Sequence, residues 1–431
     1  MMRAWRFLAI ATALLLAAPT ALLLAAPTAA AAPAAAKAKA LKSIPPAQAA
    51  GAKPGTMCGI CHSDTRVEFD KGVHKSEGIG CIACHGGDPN ATTVTAAHRA
   101  PFRGVPRRQE IPALCSTCHS DVSRMRPYNL PSDQFALYQT SQHGLRLAKG
   151  DANVAVCTDC HGVHEIRPPS DPKSSVFGRN IPTTCGKCHG DPALLRKYGR
   201  KHNPVADYSA GVHGKAFLEG GNAAAPECTR CHGSHGATPP GMGDVEKVCG
   251  QCHATVRSYF LAGPHKKGMD EAGLPECAAC HGNHKTPPAT AAMLDKVCLE
   301  CHEEGSDEIK LAGTFKTMYT QASDEIARAD ELVAEASRIP LYVDDYKARL
   351  TDARTALMES FPVMHALDAS LVEPHTRRAR SIATEVGKEI HQKLAARLWR
   401  IVGLALLWFY LLLTATIVVR ARRRAAAERD R

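Results

Sequence analysis

Aromatic residues are scarce, at 5% of the chain, and between residues 56 and 305 no long stretch keeps a helical or an alternating apolar period. Such a segment, rich instead in Gly, Pro, His and Cys, cannot build an ordinary core of packed side chains. Solitary cysteine is missing altogether: all 18 cysteines fall in pairs with two residues between them, so none is left over. No cysteine precedes Cys58 and no twin arginine stands near the N-terminus, which argues against an N-terminal lipid anchor and against twin-arginine export. Acidic residues fall short of basic ones, 42 against 53, for a formal net charge of +11. Taken alone, that surplus points to a nucleic-acid or acidic-membrane partner.

What the cysteines do form is one motif, C-x-x-C-H, nine times over. Cys58 and Cys61 lead to His62, Cys81 and Cys84 to His85, Cys115 and Cys118 to His119. Cys157 and Cys160 lead to His161, Cys185 and Cys188 to His189, Cys228 and Cys231 to His232. The last three are Cys249 and Cys252 with His253, Cys277 and Cys280 with His281, and Cys298 and Cys301 with His302. A zinc site would need two further ligands placed anywhere, and a redox dithiol only its thiols. Neither requires a histidine directly after every pair. With 21 histidines in 431 residues, chance supplies one after a given pair about one time in twenty, so nine in nine reflects a chemical requirement. Covalent haem c has that requirement, since the two thiols bond the porphyrin vinyl groups and the tethered histidine ligates iron. Nine covalently attached haem c groups are therefore expected, and their porphyrins can supply the missing apolar core. They also change the charge. Without Arg3 and Arg6 the chain carries +9, and roughly 18 propionates bring it to about −9 with ferrous iron and about zero with ferric. The basic surplus is then a counter-charge for haem, and nucleic acid drops out as a partner.

The two ends set the compartment. Arg3 and Arg6 precede an apolar run and an Ala-rich stretch to Ala36 with A-x-A-like cleavage points, so residues 1–36 are expected to be a secretory signal peptide. A first membrane helix is the alternative reading, weakened by Pro19 and Pro27. An Ala/Pro/Lys linker at 37–55 leads to a nonahaem domain at 56–305. Near the C-terminus, Ile401 to Val419 is 19 residues without a charge, with Trp399 and Trp408 nearby and Arg420, Arg422, Arg423 and Arg424 after it. This is expected to be a transmembrane helix over 398–419 with a basic cytoplasmic tail at 420–431, a buried core helix being the alternative. Export suits haem c, which is attached after translocation. The expected location is the bacterial cytoplasmic (inner) membrane, crossed once, with the haem domain in the periplasm.

An internal repeat runs through the haem region. Aligned from Tyr138, Tyr208 and Tyr259, each unit reads aromatic, His, a Gly-containing loop, C-x-x-C-H-G-x-H, a Pro-rich turn and a second C-x-x-C-H; Cys228 to Cys277 and Cys249 to Cys298 both span 49 residues. A looser unit runs from His74 to His119, where His98 takes the place of the near histidine. Four paired units and one leading haem at Cys58 account for all nine motifs. Second axial ligands are expected at the repeat-equivalent histidines: His74, His98, His143, His164, His213, His235, His265 and His284. For the ninth the candidates are His365, favoured, then His202, with His375 and His391 behind; His391 reads more readily as a surface residue. Met57, Met125, Met242 and Met269 are possible soft ligands, but abundant histidine points to mostly bis-His haems of low potential.

From Ser306 the character changes. Phe315, Met318, Ala322, Ile326, Ala329, Val333 and Ala336 recur every three or four residues, and so do Tyr346, Leu350, Leu357, Phe361 and Met364. A periplasmic helical hairpin or stalk is expected over 306–397, broken at Pro340, with Pro374 opening a third helix into the span. Residues 374–400 would make a stalk of roughly 40 Å. A coiled-coil dimer or a packing scaffold are the plain readings of this region. The fold class expected overall is mainly α, with little regular structure in a haem-packed domain, a C-terminal helical stalk and a single transmembrane helix.

Through its nine motifs and C-H-G-x-H repeats, the stretch 56–305 resembles the multihaem c-type cytochromes with doubled C-x-x-C-H motifs, related to class III cytochromes and to membrane-anchored quinol-dehydrogenating cytochromes. The helical region is similar to that following the haem domains of pentahaem nitrite reductase and octahaem hydroxylamine oxidoreductase relatives. The resemblance implies closely packed haems that pass electrons along a chain. The quinol-dehydrogenating relatives anchor through an N-terminal helix, whereas this chain is expected to anchor C-terminally, so no quinol site is carried over. Two functions compete. One is a membrane-anchored respiratory electron carrier between the quinone pool or a quinol-oxidising or cytochrome b-type membrane subunit and periplasmic redox proteins, as in anaerobic respiration. The other is a reductase or oxidoreductase of small nitrogen or sulfur compounds with one open haem site. In the nitrite reductase family the open haem's motif ends in Lys; all nine here end in His, which favours the carrier and leaves a hydroxylamine-oxidoreductase-like site as the enzymatic alternative.

Overall fold

The computed structural model describes residues 57–236 and 245–429. The expected signal and linker lie outside them, as do Met242 and the last two residues of the basic tail. No strand occurs among the described residues, and the mainly α architecture comes in two styles.

In the motif region the helices are three to nine residues long, cut short by Gly and Pro. One helical turn explains the motif itself, because positions i, i+3 and i+4 share a helix face and present both thiols and the imidazole together. The turns Cys81–His85, Cys157–His161, Cys228–His232 and Ala278–His281 each stop at a glycine with positive φ, Gly86 (70°), Gly162 (84°), Gly233 (73°) and Gly282 (65°). That conformation is nearly closed to other residues, so C-H-G is a helix with its own terminator. The motifs at Cys115 and Cys185 instead end nine-residue helices, Ile111–His119 and Ile181–His189, which open with Pro112 and Pro182 where a missing N–H costs nothing.

The repeat is visible in the hydrogen bonds. The Tyr138 hydroxyl donates to the Ala155 carbonyl at 2.8 Å and Tyr208 to Pro226 at 3.0 Å, each two residues ahead of a motif. In the third unit the equivalent position is Phe260, not Tyr259: it is buried and lies five residues before His265, as Tyr138 does before His143. Adjacent helical residues point about 100° apart, and Tyr259 turns toward the long helices.

Three long helices follow: α1 (Asp307–Ser337), α2 (Asp344–Met364) and α3 (Ala369–Arg429). Ser306 caps α1, its Oγ accepting from the Ile309 N–H at 3.4 Å. The buried residues of α1, Ala312, Phe315, Tyr319, Ala322, Ile326, Ala329, Val333 and Ala336, alternate three and four apart. Those of α3, Val372, Thr376, Ala379, Ala383, Val386 and Ile390, do the same. This 3.5-residue repeat is the signature of a coiled coil. With Leu350 and Ala353 of α2 it closes a three-helix bundle whose small alanines let the backbones approach. The apolar stripes are thus used within one chain. Phe361, expected on the buried stripe, is 39% exposed and stacks on Tyr319 at 4.9 Å. The third helix begins at Ala369, ahead of Pro374, because the Asp368 carboxylate accepts from the Ser370 N–H at 2.8 Å and starts the turn early. Beyond Leu394, α3 continues through 401–419 without partners among the described residues, and there it is long and apolar enough to cross a membrane, with a mean hydropathy of 2.4 over its most apolar stretch.

Candidate functional site

Nine pairs of imidazole rings face one another. Between ring centroids, His62 lies 6.2 Å from His98, His85 6.4 Å from His164, His161 6.1 Å from His235, His232 5.7 Å from His284 and His281 6.1 Å from His365. Likewise His119 lies 6.1 Å from His74, His189 6.0 Å from His143, His253 6.2 Å from His213 and His302 6.0 Å from His265. Each pair joins one motif histidine to one histidine outside the motifs. His202, His375 and His391 join no such pair among the described residues; His375 lies instead 3.6 Å from the Glu359 carboxylate.

The pairing is staggered. The second motif of each unit meets the helical histidine of its own unit, as His189 meets His143. The first motif meets the near histidine of the next unit, as His161 meets His235 and His232 meets His284. Because no fifth unit follows, the final place is taken by His365 at the end of α2, and the leading His62 is met by His98. Backbone contacts show that His365 is a true equivalent. Gly211, two residues before His213, would bring a Cβ to 2.9 Å from the His284 carbonyl, and Gly263, two before His265, to 2.8 Å from that of His365. Only glycine fits such an approach. Counting histidines per unit missed this stagger. The signal was present in C-H-G-x-H, whose second histidine is too close along the chain to reach around to the opposite face of a group tethered at the first.

The chemistry of these rings suits metal. Burial, followed by a neighbouring imidazole, holds His74, His143, His213, His232, His265 and His281 below the usual range, and takes His161 down to about 4. They are neutral at pH 7, the state that ligates metal. His85, His98 and His365 turn Nδ1 to the carbonyls of Gly104, Val94 and Phe361 at 2.8, 2.9 and 3.0 Å, which leaves Nε2 free for a ligand. All 18 paired histidines and 16 of the 18 motif cysteines line one continuous cavity of about 4220 Å³. Shared among nine pairs, this is roughly 470 Å³ each, within the range of about 300–1,000 Å³ for a cofactor-sized site. A metal–imidazole bond of about 2.0 Å on each face, plus about 1.1 Å from nitrogen to ring centre, separates two axial rings by about 6.2 Å, and the nine observed separations cluster there. The residues therefore fit haem c.

Successive motifs lie near enough for the thiols of one to influence those of the next. The Cys115 thiol is pushed up first by a hydrogen bond shared with Cys157, Cys185 by one with Cys228, and Cys277 by one with Cys249. Burial comes first at the others, with a neighbouring motif contributing: Cys58 at Cys81, Cys118 at Cys84, Cys188 at Cys160, Cys249 at Cys231 and Cys298 at Cys280. Motifs adjacent in sequence are adjacent in space.

Residues 221–258, which contain the motifs at Cys228 and Cys249, match the family described as doubled CXXCH motif. No curated protein and no solved structure matches the chain. The family match supports a c-type multihaem cytochrome that functions in electron transfer, and its motif implies covalently bound haem c.

Proposed function

We propose that the chain is a nonahaem c-type cytochrome anchored in the cytoplasmic membrane, carrying electrons between the quinone pool or a cytochrome b-type membrane subunit and periplasmic redox proteins. Haem c, when bound, supplies a one-electron iron couple. The nine thiol pairs, from Cys58 and Cys61 to Cys298 and Cys301, would tether it, and the nine histidine pairs would clamp both faces. Two imidazoles per site would favour low potential, and with both faces closed no position would remain for a substrate. The contiguity of successive motifs supports an ordered series of sites. The observation that carries this reading is the opposed second imidazole at every motif histidine. It weighs against the reductase alternative, which needs one vacant face.

The apolar stretch of α3 supports the anchor, and the arginines after Val419 support a cytoplasmic tail under the positive-inside rule. EPR of the air-oxidised protein, with the haem-to-protein ratio measured on the same sample, tests the proposal. Nine low-spin ferric haems per chain are expected. A stoichiometric high-spin signal in the unmodified protein would reverse the choice in favour of an enzyme, to be sought first with nitrite, hydroxylamine and tetrathionate.

A further inference from the structure

The bundle places the candidate haem sites at a measurable height above the apolar span. Every bundle residue that lines the cavity lies at one end, between Glu308 and Tyr319 on α1 or between Phe361 and Leu367 at the end of α2. Just below Tyr319, Gln321 accepts a hydrogen bond from Arg380 of α3, which sets the level on that helix. From Arg380 to Ile401, where the uncharged stretch begins, α3 runs 21 residues without a break, roughly 32 Å at 1.5 Å per residue. A tilt of about 20° in the bilayer leaves about 30 Å. The intervening core is Ala, Val, Ile and Leu, with Tyr346 its one aromatic. Three helices in heptad register resist bending, so this distance is held.

We infer that the bundle is a spacer that keeps the haem array out of reach of quinone dissolved in the bilayer, so that the membrane-side partner is a protein presenting its own redox centre some tens of ångströms above the lipid. The inference rests on the membrane-anchored carrier reading and narrows its partner. Electron tunnelling decays exponentially with distance, and neither the buried aliphatic core nor the aqueous surface of the bundle offers an intermediate stop. The partner's centre gives up one electron for each iron reduced, and its extramembrane part must rise beside the bundle to the level of Tyr319.

The test uses the full-length, haem-loaded protein in lipid vesicles, reduced with dithionite and freed of excess reductant. A quinone takes two electrons and two protons, and so reoxidises two haems. Two quinones with the same head group are compared, one with a long isoprenoid tail confined to the bilayer and one short-chain and water-soluble. The expected result is reoxidation by the soluble quinone and its loss with the confined one. Neutron reflectometry on a supported bilayer should show a dense protein layer separated from the headgroups by a thin, hydrated layer about 30 Å deep. Equal reoxidation by both quinones, or a dense layer resting on the headgroups, would overturn the spacer. Protein that fails to float with the vesicles would strike the anchor reading and this inference together, so the two failures are distinguishable.

Discussion

His365 carries the bundle's imidazole into the candidate haem array, and replacing it isolates that link. Its ring centroid stands 6.1 Å from that of His281, with the planes 28° apart, and its Nδ1 is turned to the Phe361 carbonyl at 3.0 Å. In His365→Ala the thiols of Cys277 and Cys280 are untouched, so the variant should still carry nine haems per chain. The imidazole opposite His281 is gone, and His202, His375 and His391 are paired with no other imidazole among the described residues. One site in nine then has an open face. Loss of the ring's hydrogen bond costs only about 0.5–1.5 kcal/mol, too little to dissolve a bundle that buries Leu350, Val372 and Ile390 completely. The EPR spectrum of the oxidised variant should show a high-spin ferric signal integrating to one haem per chain, removed by added imidazole. His375→Ala, on the same bundle, should leave the spectrum of the unmodified protein unchanged. A fully low-spin His365→Ala spectrum, or a high-spin signal in both variants, would refute the pairing.

Other consequences can be checked directly. Deleting residues 398–431 should release a soluble protein that still holds nine haems and reduces with dithionite; a lower haem-to-protein ratio would show that the end of α3 supports the haem fold. In a potentiometric titration most haems should titrate low, as bis-His sites do, and a majority above about +200 mV would contradict the ligand set. When the chain is produced without haem attachment and then oxidised, cross-links should form between motifs, at Cys115–Cys157, Cys185–Cys228 and Cys249–Cys277, where the thiols share hydrogen bonds; peptide mapping that finds disulfides only within each C-x-x-C would disprove that proximity. Leu350→Ala, at a fully buried bundle position, should lower stability by about 2–5 kcal/mol in denaturant titration.

The parts of this molecule governed by local rules were legible in the sequence. C-x-x-C-H encodes one helical turn, C-H-G its terminator, and the alternating three and four spacing of Ala322, Ile326, Ala329 and Val333 a buried helix face. The mainly α class followed from such stripes, and the single apolar helix at the C-terminus from the uncharged run Ile401 to Val419. What local pattern could not supply was the partner of each motif histidine, because that depends on how one unit lies on the next. Counting two histidines per unit left their pairing open, and the imidazole pairs of the structure run between neighbouring units as well as within them. The same limit misplaced Tyr259, where a one-residue shift in register decides between the motif face and the bundle. It also hid the early start of α3, which depends on the Asp368 side chain and not on the more conspicuous Pro374.

The stagger bears on how such a chain could be matured. If the chain is secreted as proposed, it crosses the membrane from its N-terminus, so that His85 would emerge well before His164, His161 before His235 and His232 before His284. In the proposed array, the sites at the first motifs, His85, His161 and His232, would keep one face bare until the following unit arrives, and that at His281 until α2 follows, whereas His119, His189, His253 and His302 meet histidines that precede them. On that proposal a nascent chain would be reactive toward small ligands at its growing edge, and His365 would close the last vacancy.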